Sequence, residues 1–195
     1  CETEPVGNLD EFNDLAQQTL ALALEKAPAD LDSLLDAPLA NGETVRSSWE
    51  QLSGKVGEKM GIRRVAVIEK KAGDVIGQYS HMGGKIGVLV QLNVAGAAAE
   101  AAKAAVHEVA LQVAAFAPIA VRADEIDPEV VAKEREIYRE QALQSGAKPE
   151  FIDRQIEGKL QKFYKEVCLE EQMTVHDQKK SAKVRLAEAA KEIGA

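Results

Sequence analysis

The stretch that most constrains the fold of this chain runs from Asp74 to Pro118. It begins with two short runs rich in Val, Ile, Leu and Tyr, Asp74–His81 and Lys85–Leu92, which are separated by Met82-Gly83-Gly84. This composition predicts a β-hairpin with a glycine turn, because glycine adopts the positive φ angles that such a turn needs. The alanine-rich run Ala97–Ala117 follows, and its valines recur at helical spacing. One face of that helix can therefore pack on the hairpin.

The amino-terminal residues predict mostly helix. Cys1–Gly7 is typical of a strand end that runs into a loop. Asn8 or Asp10 can then cap a helix that ends near Pro28, because proline cannot continue a helix. Residues 29–37 can form a short helical turn before the next loop.

A third helix and a third strand are predicted before the central hairpin. The strand covers Arg63–Lys70, which is rich in Val and Ile. Together with the hairpin it would make a small three-stranded antiparallel sheet packed with helices, which is an α+β fold. The helix covers Glu43–Met60 and carries an inward stripe of Val45, Trp49, Leu52 and Val56.

The pattern changes at Asp127. This residue can cap a helix that has Pro128 at its first position, and Pro149 begins a second helix after a turn at residues 145–148. Each helix has one narrow apolar seam on an otherwise charged surface, which predicts an antiparallel helical hairpin, or short coiled coil, projecting from the core. The predicted seams are Val130, Val131, Ile137, Tyr138 and Ala142 in the first helix, and Ile152, Ile156, Leu160, Phe163 and Val167 in the second.

The chain is predicted to divide into four segments. Residues 1–60 are interpreted as the remnant of a first α/β subdomain whose upstream strands are missing. The others are a second α/β subdomain over 61–126, the inserted helical hairpin over 127–169, and a return to the second subdomain over 170–195. That return contains an extended segment at Met173–Val175 and a final helix over Ser181–Ile193.

A weak internal repeat relates the two subdomains. Leu92–Val94 leads through small residues into a helix that ends at Pro118, as Cys1–Thr3 leads into a helix that ends at Pro28. If the repeat is real, a hairpin equivalent to Asp74–Leu92 belongs before residue 1.

Composition and charge exclude several classes of function. A formal net charge of −8 without a cluster of Lys and Arg argues against a nucleic-acid partner. No apolar run approaches the roughly 18 residues of a membrane span, and no signal or transit peptide is recognisable. The first residue is Cys and not Met, so we interpret the chain as a processed product or an excised piece. Cys1 and Cys168 are expected to be reduced thiols.

The residues do not predict an enzyme or a metal site. His81, His107 and His176 lie in separate segments, without a serine or cysteine signature beside them. Metal-ligand spacings such as Cys-x-x-Cys are absent from the sequence. Gly83-Gly84-Lys85 lies inside a hairpin and not between a strand and a helix, so it is not a phosphate-binding loop. No cofactor is therefore expected.

The central hairpin also resembles a known family. Its run YSHMGGKIGVLV, residues 79–90, is similar to the Tyr-x-His-x-Gly-x-(Arg/Lys)-Ile-Gly-Val-Leu-Val hairpin of the elongation factor Ts family. The resemblance recurs in order over nearly the whole chain, which makes it far more specific than a single motif. The other matching segments are Cys1–Thr3, Val56–Glu58, Ile62–Arg64, Val131–Ile137 and Glu157–Leu169.

This resemblance implies a function in translation elongation. Members of the family catalyse guanine-nucleotide exchange on the GTPase elongation factor Tu, through binding and without covalent chemistry. It also implies a fold of two related α/β subdomains. A second hypothesis is a docking or scaffold module of the same family that has lost most exchange activity. The implied location is the bacterial cytoplasm, the chloroplast stroma or the mitochondrial matrix, and the helical hairpin is a candidate contact for the GTPase or for a second copy in a homodimer.

The resemblance further implies which residues contact the GTPase. The family motif Thr-Asp-Phe-Val pushes its Asp and its Phe ring into the GTPase near the magnesium-binding region. Here the motif is Thr3-Glu4-Pro5-Val6, so the charge is kept, but Pro5 replaces the aromatic wedge. The family motif Met-His-(Ile/Val)-Ala-Ala is present as Leu111–Ala115, with Gln112 in place of His.

The remaining implied contacts have simpler interpretations as well. Val56 and Gly57 can equally be a core valine and a glycine that ends a helix. His81 can equally be a solvent-facing residue at the end of a strand. The full predicted contact set is Thr3, Glu4, Pro5, Val6, Val56, Gly57, His81, Gly83, Gly84 and Gln112.

Overall fold

The computed structural model describes residues 1–94 and 99–194. These residues form eight α-helices and one two-stranded antiparallel sheet, which confirms the α+β class. They fall into two compact units, Cys1–Glu69 and Lys70–Ala195. Within the described ranges, none of the helices has both the length and the hydropathy needed to cross a bilayer.

The first unit contains four helices and, at its end, a stretch without regular secondary structure. The helices are α1 (Glu4–Gly7), α2 (Asp10–Lys26), α3 (Leu31–Leu35) and α4 (Val45–Val56). The side chains of Asp30 and Thr44 cap α3 and α4, because each accepts a hydrogen bond from a backbone N–H in the first turn of its helix. Gly57 ends α4 with a φ of 81°, a conformation that favours glycine.

The core of the first unit forms where α2 packs on α4. Val45, Trp49 and Leu52 are buried on the inward face of α4, as their spacing predicts. The Trp49 ring packs edge-on against Phe12 of α2, with centroids 5.2 Å apart. Its Nε1 donates a hydrogen bond of 3.2 Å to Thr19 Oγ1, so the buried indole keeps its polar atom paired.

The chain before α2 differs from the prediction for Cys1–Gly7. It forms one helical turn, α1, where we expected a strand end and a loop. Pro5 suits this turn because its fixed φ is helical and its missing N–H is not needed there. Asn8 closes α1 by donating its N–H to Pro5 O at 3.2 Å. The extended residue before α2 is therefore Leu9, and the predicted capping of α2 by Asn8 or Asp10 is wrong.

The predicted third strand over Arg63–Lys70 is not found. Residues 59–71 have no regular secondary structure, and the sheet of the described residues has two strands. Val65 is half-buried, whereas Val67, which would share its face in a strand, is 41% exposed. A high β propensity suits a residue to a half-buried pleated surface, but it does not make a strand without a partner.

The second unit begins with the predicted hairpin. Strands β1 (Asp74–His81) and β2 (Ile86–Asn93) pair in register along their whole length. Helix α5 (Lys103–Phe116) follows. The predicted helix started at Ala97, but residues 99–102 form a turn, and Ala97 and Ala98 lie outside the described residues.

Helix α5 packs against one face of the hairpin. Val75 of β1 and Val88 and Val90 of β2 are buried in one cluster with the inward valines and alanines of α5. Gly77 lies at the closest approach, because a Cβ at this position would collide with Cγ1 of Val106. A glycine inside a strand is expected where another element approaches this closely.

The rest of the second unit consists of α6 (Pro128–Gln144), α7 (Pro149–Val167) and α8 (Ala182–Ile193). Asp127 caps α6 and Ser181 caps α8 through their side-chain oxygens. The two ends of the α6–α7 segment are tied together, because Ile119 N donates to Val167 O and Leu169 N donates to Ala120 O, each at 3.0 Å.

Helices α6 and α7 form an antiparallel pair with a narrow apolar seam. Ile152, Ile156 and Leu160 of α7 are buried against α6, as predicted. On α6 the seam consists of Val131, Tyr138 and Ala142, whereas Val130 and Ile137 are exposed, contrary to the prediction. Two packed helices bury only one stripe of each, so an apolar neighbour of a seam residue can face solvent. Phe163 and Val167, also predicted for the seam, are half-buried, and Tyr164 packs in the seam instead.

The two units share a succession of local features. Helices α2 and α5 each end at an alanine with positive φ that precedes proline, at Ala27-Pro28 and Ala117-Pro118. Helices α4 and α8 each follow an antiparallel bridge, are capped by Thr44 or Ser181, and end at a glycine with positive φ. These shared features support the internal repeat.

Two exposed leucines of α2 can be compared with the residues at the matching places of α5. Leu20 and Leu24 are 60% and 74% exposed. The residues in the same places before the end of α5 are Ala110, which is fully buried, and Ala114, which packs against the hairpin cluster. The face of α2 that carries the leucines therefore corresponds to the face of α5 that the hairpin covers.

Asp74 joins the start of β1 to the end of β2. Its carboxylate accepts hydrogen bonds from Asn93 Nδ2 at 2.7 Å, Gln91 Nε2 at 2.6 Å and Lys71 N at 2.8 Å. These donors, Asn93 foremost, hold the pKa of the Asp74 carboxyl below its usual value. The charged carboxylate therefore closes the open end of the hairpin.

We expect Gly77→Ala to destabilise the second unit by about 1–3 kcal/mol, because the added methyl group forces α5 away from β1. Gly87→Ala is the matched control, since a Cβ there meets nothing within 4 Å. Urea unfolding followed by far-UV circular dichroism measures both. The fluorescence of Trp49, the only tryptophan, reports on the first unit and should not change. Equal stability of the two variants would contradict the close approach at Gly77.

We expect the stabilising effect of Asp74 to depend on pH. Because folding lowers its pKa, its contribution is present above the usual carboxyl pKa of roughly 3.9 and is lost as the pH falls below that value. The thermal midpoint of Asp74→Asn should therefore lie below that of the unmodified chain at pH 7, and the gap should narrow as the pH falls below 4. Asp14→Asn, at an exposed position on α2, is the control. A gap that stays constant down to pH 2 would refute the assignment.

Candidate functional site

Four predicted contact residues, Thr3–Val6, lie at α1. Thr3, Glu4 and Pro5 are exposed, and Val6 is buried. The Asn13 side chain of α2 donates hydrogen bonds to the carbonyls of Gly7 and Leu9, at 3.3 and 3.0 Å. The turn is thus attached to the unit on its buried side, and Glu4-Pro5 remains exposed.

The end of α4 is connected to this turn by Glu58. Its carboxylate accepts two hydrogen bonds from Thr3, one from the backbone N at 3.0 Å and one from Oγ1 at 2.5 Å. Val56 is half-buried and Gly57 turns the chain, so these two predicted residues lie directly before the one that binds Thr3. The structure therefore brings together the two groups of predicted residues in the first unit.

The other predicted contacts at a turn are His81, Gly83 and Gly84, which lie at the tip of the hairpin. All three are exposed. Positive φ angles occur at Met82 (51°), Gly83 (64°) and Gly84 (93°), as a glycine turn predicts. Met82 is the one residue of the three with a side chain, and it is 60% exposed, so the tip presents one large apolar group.

The His81 ring is held by Tyr79. Tyr79 Oη and His81 Nδ1 share a hydrogen bond of 3.1 Å, and the two rings stack with centroids 5.9 Å apart. The ring of His107, on α5, meets Tyr79 edge-on at 6.0 Å. His81 is exposed at the end of β1, as its interpretation as a solvent-facing strand end predicts, and its ring contacts Tyr79.

Gln112 occupies a different environment from the other predicted contacts. It is 4% exposed and lies on α5. Its Nε2 donates to Met173 O at 3.0 Å, and its Oε1 accepts from Val175 N at 3.0 Å. The side-chain amide therefore pairs with the extended segment that follows α7, as a strand would, and it is not presented to solvent.

Among the described residues, a groove lies beside α2 and α4 in the first unit, and another lies beside α5 and α8 in the second. The groove along α5 and α8 has a volume of about 310 Å³, and the groove along α2 and α4 has a volume of about 430 Å³. Gln18 and Glu108 line them at matching places on α2 and α5, and Gln51 and Glu188 do so on α4 and α8. The two grooves thus have lining residues at matching places in the two units.

The described residues also bear on covalent and metal chemistry. Burial raises the pKa of the Cys168 thiol, which disfavours the thiolate nucleophile. In residues 1–94 and 99–194, His, Cys, Asp and Glu side chains do not gather into a group of three or more that could hold a metal ion. Of the predicted contacts, Thr3–Pro5 and those at the hairpin tip are exposed, whereas Val6 and Gln112 are buried.

The family model for elongation factor TS matches residues 2–195 of the chain, which is nearly its full length. The chain belongs to the elongation factor Ts family. The match confirms the resemblance that the hairpin motif indicates.

Individual relatives agree with this assignment. The chain is 40% identical to an elongation factor Ts of Chlorobaculum tepidum over 181 residues, which cover 91% of the chain. It is 38% identical to that of Cytophaga hutchinsonii over 93% of the chain, and 40% identical to that of Desulfovibrio desulfuricans over 100%. The matched part is 62%, 63% and 67% of these three relatives, respectively. The chain thus spans about three-fifths of the length of several elongation factor Ts proteins.

Three residues with clear roles were not predicted as site residues. Glu58 lies inside a segment that resembles the elongation factor Ts family, but its bonds reach Thr3 across 55 positions of the chain. Asn13 and Tyr79 likewise act through side-chain contacts to other segments or residues. The Glu58 contact depends on where a loop folds back, which periodicity and motif matching do not specify. Tyr79 and His81 are two residues apart in one strand, so their shared face could have been predicted from the sequence.

We expect Gln112→Met to destabilise the second unit by about 3 kcal/mol, because it leaves the Val175 N–H and the Met173 carbonyl without their partner. Gln17→Met, at an exposed position on α2, is the control and should change stability by less than about 0.5 kcal/mol. Urea unfolding followed by circular dichroism makes the comparison. A loss at Gln112 no greater than at Gln17 would show that the buried amide does not hold the segment.

Proposed function

We propose that this chain binds the GTPase elongation factor Tu and promotes the release of GDP from it. The observation that carries the proposal is the family match over residues 2–195. At α1 the predicted contacts Thr3–Pro5 are exposed, as are those at the hairpin tip, which is compatible with a macromolecular partner. The proposed setting is translation elongation, in a bacterial cytoplasm or an organelle of bacterial ancestry.

The proposed mechanism is binding linkage. A factor that prefers the GTPase in a form with weak nucleotide affinity must lower nucleotide affinity when it binds, and returning nucleotide must weaken its own binding by the same factor. Exchange is thereby accelerated without a covalent step. Rigid contact elements suit this role because less binding energy is spent on ordering them.

The turn at α1 is the proposed element that loosens the nucleotide. Glu4 supplies a negative charge, and Pro5 supplies a small rigid ring where family members have phenylalanine. A buried aromatic anchor contributes about 2 kcal/mol or more at many interfaces. Because Pro5 cannot supply it, we expect this chain to bind the GTPase but to release GDP slowly.

The hairpin tip is the proposed second contact. His81, Gly83 and Gly84 lie there beside the exposed Met82 side chain, and the Tyr79 hydrogen bond limits the rotation of His81. A tip of this kind can insert between elements of a partner at low entropic cost.

A docking or scaffold module without exchange activity is the second candidate. Two observations favour it: Pro5 replaces the aromatic wedge, and Gln112, where the family has His, is buried. Under this hypothesis the chain still binds the GTPase, but its binding no longer lowers the affinity of the GTPase for nucleotide.

The domain organisation remains part of the proposal. Residues 1–60 would be the remnant of one subdomain, and 61–126 with 170–195 would form the other. The exposed Leu20 and Leu24 on α2 support this view, because a hairpin covers the corresponding face of α5. The α6–α7 pair, at 127–169, would project as an arm that contacts the GTPase or a second copy.

Two measurements on one partner test the proposal. Calorimetry with nucleotide-free elongation factor Tu should give a complex, and stopped-flow release of a fluorescent GDP should be slow but above the spontaneous rate. The double variant Glu4→Asp, Pro5→Phe restores the family motif and should raise the release rate by at least about tenfold. Glu2→Asp, Pro28→Phe is a matched control outside the motif and should not raise it.

Each outcome separates the candidates. A complex with no rate increase in the double variant would favour the docking module over the exchange factor. Absence of a complex in calorimetry would exclude both.

A further inference from the structure

The loop after α4 is fixed to its helix by a separate set of bonds. Gly57 N donates to Ser53 O at 2.9 Å, and Ser53 Oγ donates to Glu58 O at 2.6 Å. The positive φ of Gly57 turns the chain at that point. The backbone of Glu58 is therefore held by the last turn of α4, and its side chain starts from a defined position.

The Glu58 carboxylate binds the residue that begins α1. One oxygen accepts the Thr3 backbone N–H at 3.0 Å, and the other accepts the Thr3 hydroxyl at 2.5 Å. Thr3 is the N-cap residue of α1, and its own side chain does not cap the helix. Glu58 thus acts as a charged cap supplied by a distant part of the same unit.

Helix α1 needs outside support because it is only four residues long. A helix of this length gains too few internal hydrogen bonds to offset the entropy of its nucleus. Buried Val6 and the Asn13 amide hold its carboxyl-terminal side. Glu58 holds the amino-terminal side, next to Glu4-Pro5.

We propose that Glu58 is a positioning residue for Glu4 and Pro5: through Thr3 it keeps α1 ordered in the free protein, so that the turn meets the GTPase already formed. This inference rests on the proposed function. It assigns Glu58 no contact with the partner. Without Glu58, α1 should be disordered in the free protein. The entropy lost on ordering it would then weaken binding to the GTPase.

Three variants separate positioning from other effects. Glu58→Ala removes both acceptors. Glu58→Gln keeps the shape and can still accept from Thr3 N and pair with the hydroxyl, so it is the conservative replacement. Glu50→Ala removes one negative charge from an exposed position on α4 and controls for net charge.

Amide hydrogen exchange by NMR measures the turn without the GTPase. The N–H groups of Gly7, Asn8 and Leu9 donate to Thr3, Pro5 and Val6 in the turn. We expect Glu58→Ala to speed their exchange by roughly tenfold, and Glu58→Gln and Glu50→Ala by less than about threefold. Unchanged exchange in Glu58→Ala would overturn the positioning role and leave the proposed function intact.

Affinity for nucleotide-free elongation factor Tu provides the second readout. We expect Glu58→Ala to weaken binding roughly tenfold and Glu58→Gln to recover most of that loss. In the amide-exchange measurement, adding Thr3→Val to Glu58→Ala should change the rates little further, because both changes remove the same connection. Equal losses in Glu58→Ala and Glu58→Gln, or faster amide exchange with unchanged affinity, would overturn the proposal.

The two readouts also distinguish the two proposals from each other. If the unmodified chain forms no complex with elongation factor Tu, the proposed function fails. The proposed role of Glu58 in binding then fails as well, whatever the amide hydrogen exchange shows.

Discussion

The close packing of α5 on the β1–β2 hairpin is the contact on which the second unit depends. A two-stranded hairpin is marginally stable alone, and here the helix buries one of its faces. Gly77 permits this contact because it leaves the space that the Val106 side chain occupies. The hairpin tip is thereby built on a supported strand pair, and Asp74 closes the opposite end with its three hydrogen bonds.

The elements that were predicted correctly are those that single residues mark locally. Glycine at the turn, proline at the starts of α6 and α7, and capping residues such as Asp127 each express a backbone preference that needs no distant partner. The buried stripe of Val45, Trp49 and Leu52 was also predicted correctly, because helical spacing marks a face that is buried along its length. The strand over Arg63–Lys70 failed because a strand needs a paired edge, and local composition does not specify one.

The candidate site was predictable only where a local motif marks it. Motif resemblance selected Thr3–Val6 and the hairpin tip. Thr3–Pro5 and the tip residues are exposed in the structure, whereas Val6 is buried. The resemblance could not identify Glu58 as the partner of Thr3, because that contact joins residues 55 positions apart. It also could not reveal that Gln112 is enclosed by the segment after α7, since burial of that face depends on a chain that returns many residues later.

The way the α6–α7 pair joins its unit has a consequence for how such chains can vary. The residues that lead out of α5 and those that follow α7 are hydrogen-bonded side by side, so the polypeptide leaves and re-enters at one point. The entropy of closing a loop rises only slowly with its length once its ends are fixed. Lengthening or trimming α6 and α7 by whole helical turns should therefore cost little of the stability that comes from the packing of α5 on the β1–β2 hairpin, so the length of this pair can vary independently of that packing.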